Sequence, residues 1–143
     1  MRLNARLMRA IGALTLLMTA SPTVVSPREE RKPSWTVTPG QRAESNPSDP
    51  SEASVAAGRE IYSRNCLACH GTTGDGKGPV AARLGFTAGD FTRGAEMALR
   101  TDGELFWKIA TGRDPMPAFR RKGGLTDPQL WDVVNYIRTL ARR

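Results

Sequence analysis

The pentapeptide Cys66-Leu67-Ala68-Cys69-His70 is the stretch that decides the fold of this 143-residue chain. Its C-x-x-C-H pattern is typical of a covalent haem attachment site. Two thiols three residues apart at the end of a helix can both reach the vinyl groups on one edge of a porphyrin, and the adjacent His70 then lies under the iron as its proximal ligand. The pattern therefore predicts one haem c, bound covalently through Cys66 and Cys69, with its iron ligated by His70.

Other uses of the same pattern agree less well with the rest of the chain. A zinc site needs four protein ligands, whereas the two cysteines and the only histidine supply three. A thioredoxin-like dithiol would lie in a βαβ pattern, which this sequence lacks. A structural disulfide stays open for an exported protein, although closing so short a loop adds little stability.

The second axial ligand of the iron follows by elimination. His70 is the sole histidine, which excludes two-histidine ligation within the chain. Beyond the apolar N-terminal run the only methionines are Met97 and Met116. Met116 lies between two prolines, which restrict its loop and suit the holding of a thioether in place, so we predict Met116 as the ligand. Met97 is the alternative, with core packing as its expected role.

An iron with both axial positions filled has no open position for oxygen or peroxide, and His/Met ligation raises its reduction potential. We therefore predict an electron-transfer protein that carries one electron at a time and is not itself an enzyme. It would serve as a periplasmic carrier or as the cytochrome subunit of a respiratory or dehydrogenase complex. The alternative function is a haem-based sensor or enzyme, which needs a labile sixth ligand.

An export signal is predicted over residues 1–26. Met1 to Arg9 contains three arginines and no acidic residue, and an apolar run from Ala10 to Ala20 follows that is too short to cross a bilayer as a helix. The expected location is the periplasm or the outer face of the cytoplasmic membrane. The cleavage site is poorly defined, so membrane association through an uncleaved N-terminus stays open.

Residues 27–54 are predicted to be a linker, because they are rich in Pro, Ser and charged residues and contain little apolar surface besides Trp35 and Val37. A flexible tether is the expected role. The alternative is that Trp35 docks on the haem domain or on a partner.

Residues 55–143 are predicted to form an all-α domain, since no segment alternates as a strand would. We expect a first helix capped by Ser54 and leading to the haem motif. A shorter helix is expected over Asp102–Ala110, ended by Gly112. The final helix should begin with a capping box formed by Thr126 and Gln129.

The formal net charge of +7 favours docking on acidic protein surfaces or anionic headgroups. The expected partners are redox proteins with an acidic docking surface or a membrane respiratory complex. Nucleic acid is not expected as a partner, because the basic residues are scattered and form no platform with aromatic residues.

Residues from about Ala56 to Leu140 resemble a class I cytochrome c domain of the bacterial mono-haem kind. The resemblance rests on the haem motif with Gly71 and on five further segments: Ala57-Gly58-Arg59-Glu60-Ile61-Tyr62, Gly74-Asp75-Gly76-Lys77-Gly78-Pro79, Asp102-Gly103-Glu104-Leu105-Phe106-Trp107, Met116-Pro117-Ala118-Phe119 and Tyr136-Ile137-Arg138-Thr139-Leu140. It implies the class I cytochrome c fold, a small helical domain wrapped around one covalently bound haem.

The resemblance also implies roles for matching positions. The carbonyl of Pro79 would accept a hydrogen bond from His70 Nδ1, and Trp107 would line the haem pocket with Phe106 unless both are plain core residues. The first and last helices would cross at Gly58, Tyr62 and Tyr136. An exposed haem edge would be surrounded by the basic residues Lys77, Arg83, Arg113, Arg120, Arg121 and Lys122.

Overall fold

Helices are the main regular structure in the residues that the computed structural model describes, 35–121 and 124–141. Their bounds are α1 Pro39–Ala43, α2 Glu52–Asn65, α3 Leu67–His70, α4 Pro79–Leu84, α5 Gly94–Ala98, α6 Asp102–Thr111 and α7 Asp127–Leu140. Within these ranges there is no strand, only an isolated bridge between Arg113 and Met116. The predicted all-α fold is confirmed for them. The predicted export signal, residues 1–26, and residues 27–34 lie outside the described part.

The haem motif lies at the end of α2, but that helix begins earlier than the sequence predicted. Ser51 is its N-cap, and the Ser51 hydroxyl accepts a hydrogen bond from the amide of Ser54 at 3.2 Å. Ser54 is therefore inside the first turn, where its hydroxyl donates to Asp132 of α7 at 2.6 Å. The predicted cap at Ser54 is wrong because Ser51 provides the same chemistry three residues upstream.

Helices α6 and α7 begin and end close to the predicted residues. The side chain of Thr101 caps α6 by accepting from the Glu104 amide at 3.1 Å, and Gly112 ends the helix at a φ of 61°. The predicted capping box of α7 is present, with the Thr126 amide donating to Gln129 Oε1 at 2.9 Å. These boundaries depend on local side-chain to backbone bonds, which a sequence pattern can predict.

Helices α2 and α7 cross at the glycine that the sequence analysis singled out. A Cβ added to Gly58 would overlap the carbonyl oxygen of Asp132 and lie 2.9 Å from the Tyr136 Cβ. Next to this contact the rings of Tyr62 and Tyr136 meet edge to face, with 5.2 Å between centroids. The predicted crossing is confirmed, and Gly58 is there because any side chain would push the two backbones apart.

The buried core lies between α2, α6 and α7. Most of the buried apolar side chains come from one face of α6 and one face of α7, so burial of these two faces supplies most of the core packing. The core residues from these three helices are Ile61, Tyr62, Leu105, Phe106, Ile109, Ala110, Leu130, Trp131, Val133, Val134, Tyr136 and Ile137.

The structure corrects the predicted linker for residues 35–54, which pack on the helical domain. Helix α1 lies so close to α6 that a Cβ added to Gly103 would overlap the carbonyl oxygen of Gln41. Further along, the Asn46 amide donates to the buried Asn135 of α7 at 2.7 Å. The composition of the segment predicted a tether because few of its residues are apolar. In the structure the segment is held mainly by polar contacts to distant residues, which composition does not reveal.

No helix in the described ranges combines the length and the apolar character needed to cross a membrane.

Candidate haem site

Helix α3 carries the haem motif on a single turn. Cys66 is its N-cap residue, and the amides of Cys69 and His70 donate to the Cys66 carbonyl at 3.1 and 2.9 Å. Residues three apart on a helix lie on the same side, so Cys66 and Cys69 present neighbouring thiols. Neither forms a disulfide. Two adjacent free thiols beside a histidine are the donor set that covalent haem attachment requires.

The imidazole of His70 is buried and oriented by a backbone carbonyl. The residue is 8% exposed, and its Nδ1 lies 3.0 Å from the carbonyl oxygen of Gly89. Because a carbonyl can only accept, Nδ1 carries the proton and Nε2 is left for the iron. The ring of Phe91 stacks on the imidazole, with 4.6 Å between centroids and 16° between planes.

Burial lowers the pKa of His70, and the hydrogen bond to Gly89 opposes that shift in part. The neutral imidazole is therefore favoured over the imidazolium at neutral pH. A neutral imidazole is the form that binds a metal. The environment of His70 thus suits an iron ligand.

The carbonyl that holds His70 is not the one that the resemblance implied. Pro79 is the first residue of α4, so its carbonyl points along that helix toward the amide four residues on. Gly89 takes this role instead, from the loop between α4 and α5. The signal in the sequence was Asp90 followed by Thr92, since a short turn of this kind fixes an otherwise irregular loop. Asp90 Oδ1 accepts from the Thr92 amide at 2.9 Å and from its hydroxyl at 2.6 Å.

A glycine-rich segment folds back over the haem motif. The amides of Gly76 and Gly78 donate to the carbonyls of His70 and Cys69 at 2.9 and 3.0 Å. The Tyr62 hydroxyl donates to the carbonyl of Gly71 at 2.8 Å, and burial raises the pKa of Tyr62 well above its usual range. The tyrosine therefore stays protonated and anchors the turn that follows His70.

The thiol of Cys66 is unlike the reactive thiol of a redox dithiol. Burial, with a smaller contribution from Cys69, raises the pKa of Cys66 to about 12. Thiol–disulfide enzymes depend on a lowered thiol pKa, so this environment is unsuited to that chemistry. In the described part of the chain no three or more His, Cys, Asp or Glu side chains are grouped to hold a metal ion directly. The residues fit haem rather than a bare metal.

The two candidate sulfur ligands lie in different environments. Met97 is 2% exposed and belongs to the core, and its carbonyl accepts from Arg138 at 2.8 Å. Met116 lies in the loop after α6 and is partly exposed. Two backbone hydrogen bonds, of 2.9 and 2.7 Å, join it to Arg113. Core packing thus accounts for Met97, and Met116 stays the predicted ligand.

The two aromatic residues that the resemblance placed in the haem pocket differ in their surroundings. Phe106 is fully buried and stacks on Trp131 with 4.0 Å between ring centroids, as a core residue does. Trp107 is only partly buried, and its Nε1 donates to Glu44 at 2.5 Å. The pocket role of Trp107 stays a prediction.

Comparison with known proteins relates this geometry to a family. The family model described as cytochrome c oxidase, cbb3-type, subunit III matches residues 53–137. The cbb3-type cytochrome c oxidase subunit CcoP of Azospirillum brasilense is 35% identical over 96 residues, which cover 62% of this chain and 32% of that protein. Cytochrome c6 of Parathermosynechococcus lividus is 31% identical over 87 residues, which cover 59% of this chain and 88% of that protein.

A solved structure also resembles the chain. A component of the Kuenenia stuttgartiensis reducing HAO-like protein complex matches with a TM-score of 0.55 and 30% identity, covering 67% of this chain and 47% of that one. The chain spans about a third of the length of the CcoP relatives that it matches.

Proposed function

Since the chain belongs to the family of cytochrome c oxidase, cbb3-type, subunit III, and transfers electrons on covalently bound haem c, we propose that it carries one electron at a time with His70 and Met116 as iron ligands. The observation that carries this proposal is the turn of α3, where two free thiols lie beside a histidine whose Nδ1 is bonded to Gly89. The bound haem supplies a reversible one-electron couple.

The residues of the chain keep the proximal side of the haem rigid. Gly89 and Phe91 hold the orientation of His70, and Tyr62 anchors the turn behind it. A ligand that does not move between oxidation states adds little reorganisation to each electron transfer. This rigidity suits a carrier with no catalytic centre of its own.

Met116 as the sixth ligand is supported by elimination and by its surroundings. Met97 is buried in the core, and His70 is the only histidine of the chain. The backbone pairing with Arg113 limits the movement of the Met116 loop. A thioether held in this way fills the second axial position and favours the ferrous state.

The location and partners follow from the sequence and the relatives. The basic start and the short apolar run of residues 1–26 support export to the periplasm or the outer face of the cytoplasmic membrane. The CcoP relatives are oxidase subunits by name, which supports a place in a respiratory complex. The match covers 88% of cytochrome c6, so a protein can consist of little more than this domain, which supports a free carrier equally. In either case the net charge of +7 favours a redox partner with an acidic docking surface.

Ligation decides between a carrier and a haem-based sensor or enzyme. Ferric haem with a thioether ligand has a weak absorption band near the red edge of the visible spectrum. We expect this band in the unmodified protein and in Met97→Ala, and its loss in Met116→Ala. The ferrous protein should not bind carbon monoxide, whereas ferrous Met116→Ala should bind it readily.

Two results would contradict the proposal. Rapid binding of carbon monoxide by the unmodified ferrous protein would favour the sensor or enzyme. Loss of the band in Met97→Ala, with retention in Met116→Ala, would reverse the ligand assignment.

A further inference from the structure

The segment Trp35–Asn46, here called the strap, lies against α6 and reaches the loop that carries Met116. We propose that the strap positions Met116 by holding both ends of this loop, residues 112–120. The strap lies outside residues 53–137, the range that the family model matches. The inference rests on the proposed ligation by Met116.

The first contact of the strap is with the start of the loop. The guanidinium carbon of Arg113 lies 5.5 Å from the centroid of the Trp35 ring, and the ammonium nitrogen of Lys108 lies 5.7 Å from it. Both distances are within the range of cation–π attraction. Trp35 thereby joins the last turn of α6 to the residue that follows Gly112. Arg113 in turn exchanges two backbone hydrogen bonds with Met116.

The second contact is with the end of the loop and runs through Trp107. Glu44 of the strap accepts from Trp107 Nε1 at 2.5 Å, which fixes the indole on the surface of α6. The guanidinium carbon of Arg120 lies 4.8 Å from the Trp107 ring centroid and 5.1 Å from that of Phe106. The amide of Arg120 also donates to the carbonyl of Ala110 at 3.0 Å. The loop is thus held at Arg113 and at Arg120.

Between these two contacts the strap is anchored on the domain. Arg42 forms an ion pair with the buried Glu104 and donates to the carbonyl of Leu99 at 2.7 Å. The hydroxyl of Thr101 donates back to the carbonyl of Arg42 at 2.6 Å. Glu104 also forms an ion pair with Lys108, which contacts the Trp35 ring, so the anchor and the Trp35 contact are linked through two neighbouring side chains of α6. The strap therefore has a fixed middle from which its two ends reach the loop.

The consequence is a lower population of the state in which Met116 has left the iron. An added ligand such as imidazole binds ferric haem only in that open state, so its apparent dissociation constant rises as the open fraction falls. Weakening the strap should raise the open fraction and tighten the binding of imidazole. The proximal side, formed by His70 and Gly89, lies on other elements and should not respond.

The experiment uses the ferric holoprotein and titrates it with imidazole. For Trp35→Ala, which loses both cation–π contacts, we expect an apparent dissociation constant about tenfold lower and a weaker thioether band. Glu44→Ala, which removes the acceptor of Trp107, should change both readouts in the same direction. Trp35→Phe keeps an aromatic face and should return both readouts close to those of the unmodified protein.

The matched control is Arg59→Ala, which removes a cation–π contact of similar length, 5.7 Å, between α2 and the ring of Tyr136. It lowers general stability without touching the strap or the loop, so its imidazole affinity should be unchanged. An unchanged imidazole affinity in both Trp35→Ala and Glu44→Ala would overturn the proposed role of the strap. An equal change in Arg59→Ala and Trp35→Ala would also overturn it, because the effect would then be general loosening. Absence of the thioether band from the unmodified protein would overturn the ligation itself, and the strap with it.

Discussion

At the scale of single residues, the imidazole of His70 is held by two uncharged partners. The carbonyl of Gly89 accepts from its Nδ1, and the ring of Phe91 lies against its face. Neither partner gains or loses a proton, so the orientation of the ligand does not depend on the protonation of a neighbour. The two thiols beside the imidazole belong to the only cysteines of the chain, so no other thiol can form a thioether bond to the haem.

The first prediction concerns covalent attachment. Haem bound through thioethers should remain with the polypeptide on a denaturing gel and be detected there by its peroxidase activity. Replacing both Cys66 and Cys69 by Ala should abolish the stain, since no other cysteine can form the bond. Cys69→Ala alone keeps one thiol and should keep part of the stain. Full staining of the double variant would show that the haem is attached to the chain through other residues.

The second prediction concerns Glu104, which is 6% exposed and contacts Arg42, Arg100 and Lys108. Burial alone would raise the pKa of Glu104, but the hydrogen bond and charge of Lys108 and the charges of Arg42 and Arg100 lower it below its usual value. A carboxylate with a lowered folded-state pKa contributes stability above its unfolded pKa, about 4.3. That contribution is lost as the pH falls through the folded-state value.

Glu104→Gln should therefore lower the free energy of unfolding at neutral pH by about 1–3 kcal/mol and make the acid limb of the stability curve shallower. The measurement is urea unfolding of the holoprotein across the acid range. The matched control is Glu60→Gln, because the exposed pair of Glu60 and Arg64 should contribute less than about 1 kcal/mol. Equal slopes below pH 5 for Glu104→Gln and the unmodified protein would contradict the prediction.

At the scale of elements, the crossing of α2 and α7 holds the haem motif against the core. Gly58 allows the two backbones to approach, and Tyr62 extends from the same helix to the carbonyl of Gly71. The crossing is tightened by a polar network in which Asn135 donates to the Ser54 hydroxyl at 2.8 Å. The position of Cys66 therefore depends on how closely α2 can pack.

The third prediction tests this packing. Gly58→Ala should lower the free energy of unfolding by about 1–3 kcal/mol, because the new methyl group would overlap the Asp132 carbonyl and force the helices apart. The control is Gly40→Ala in α1, where an added Cβ has no neighbour within 4 Å. Removing that glycine should leave stability unchanged or raise it by about 0.5–1 kcal/mol. If Gly40→Ala lowered the free energy of unfolding and Gly58→Ala left it unchanged, the prediction would be contradicted.

At the scale of the whole molecule, the basic residues fall into two groups: some form ion pairs within the fold, and others are exposed and could contact a partner. Arg120 pairs with Asp127 at 2.6 Å and stacks on Trp107, and Arg138 pairs with Asp102, so both serve the fold. Lys77, Arg83 and Arg121 are exposed and form no salt bridge with the described residues. Of the basic residues expected around the haem edge, these three are therefore better candidates than Arg120 for steering a partner.

The fourth prediction concerns that steering. The association rate with an acidic redox partner should fall steeply with salt, because the Debye length drops from about 10 Å at 0.1 M to about 3 Å at 1 M. Reversal of both Lys77 and Arg83 to Glu should slow association at low salt by about tenfold or more and leave the reduction potential nearly unchanged. Stopped-flow kinetics with the partner provides the measurement.

A charge-matched control separates steering from net charge. Reversal of Arg59 and Arg64 on α2 makes the same change in total charge at other positions. Equal slowing by the two double variants would mean that only net charge matters. Association rates that depend neither on salt nor on the charge reversals would show that the partner is recognised through apolar contacts.

The sequence by itself determined the features that depend on neighbouring residues. The haem motif is a single turn, and the boundaries of α6 and α7 depend on caps formed within four residues, at Thr101, Gly112 and Thr126. The all-α class follows from the same local periodicity. The crossing of α2 and α7 at Gly58 was implied by the family resemblance, and it agrees with a local rule: a glycine inside a helix is unfavourable unless something lies against it.

Only the tertiary structure decided which distant residues meet. The partner of His70 is Gly89, nineteen positions along, because the turn fixed by Asp90 brings that carbonyl to the imidazole. Residues 35–54 fold on the domain because Trp35 and Glu44 find partners about sixty to eighty residues away. Such contacts have no local pattern: their free energy comes from complementary groups that become neighbours only after the helices have packed.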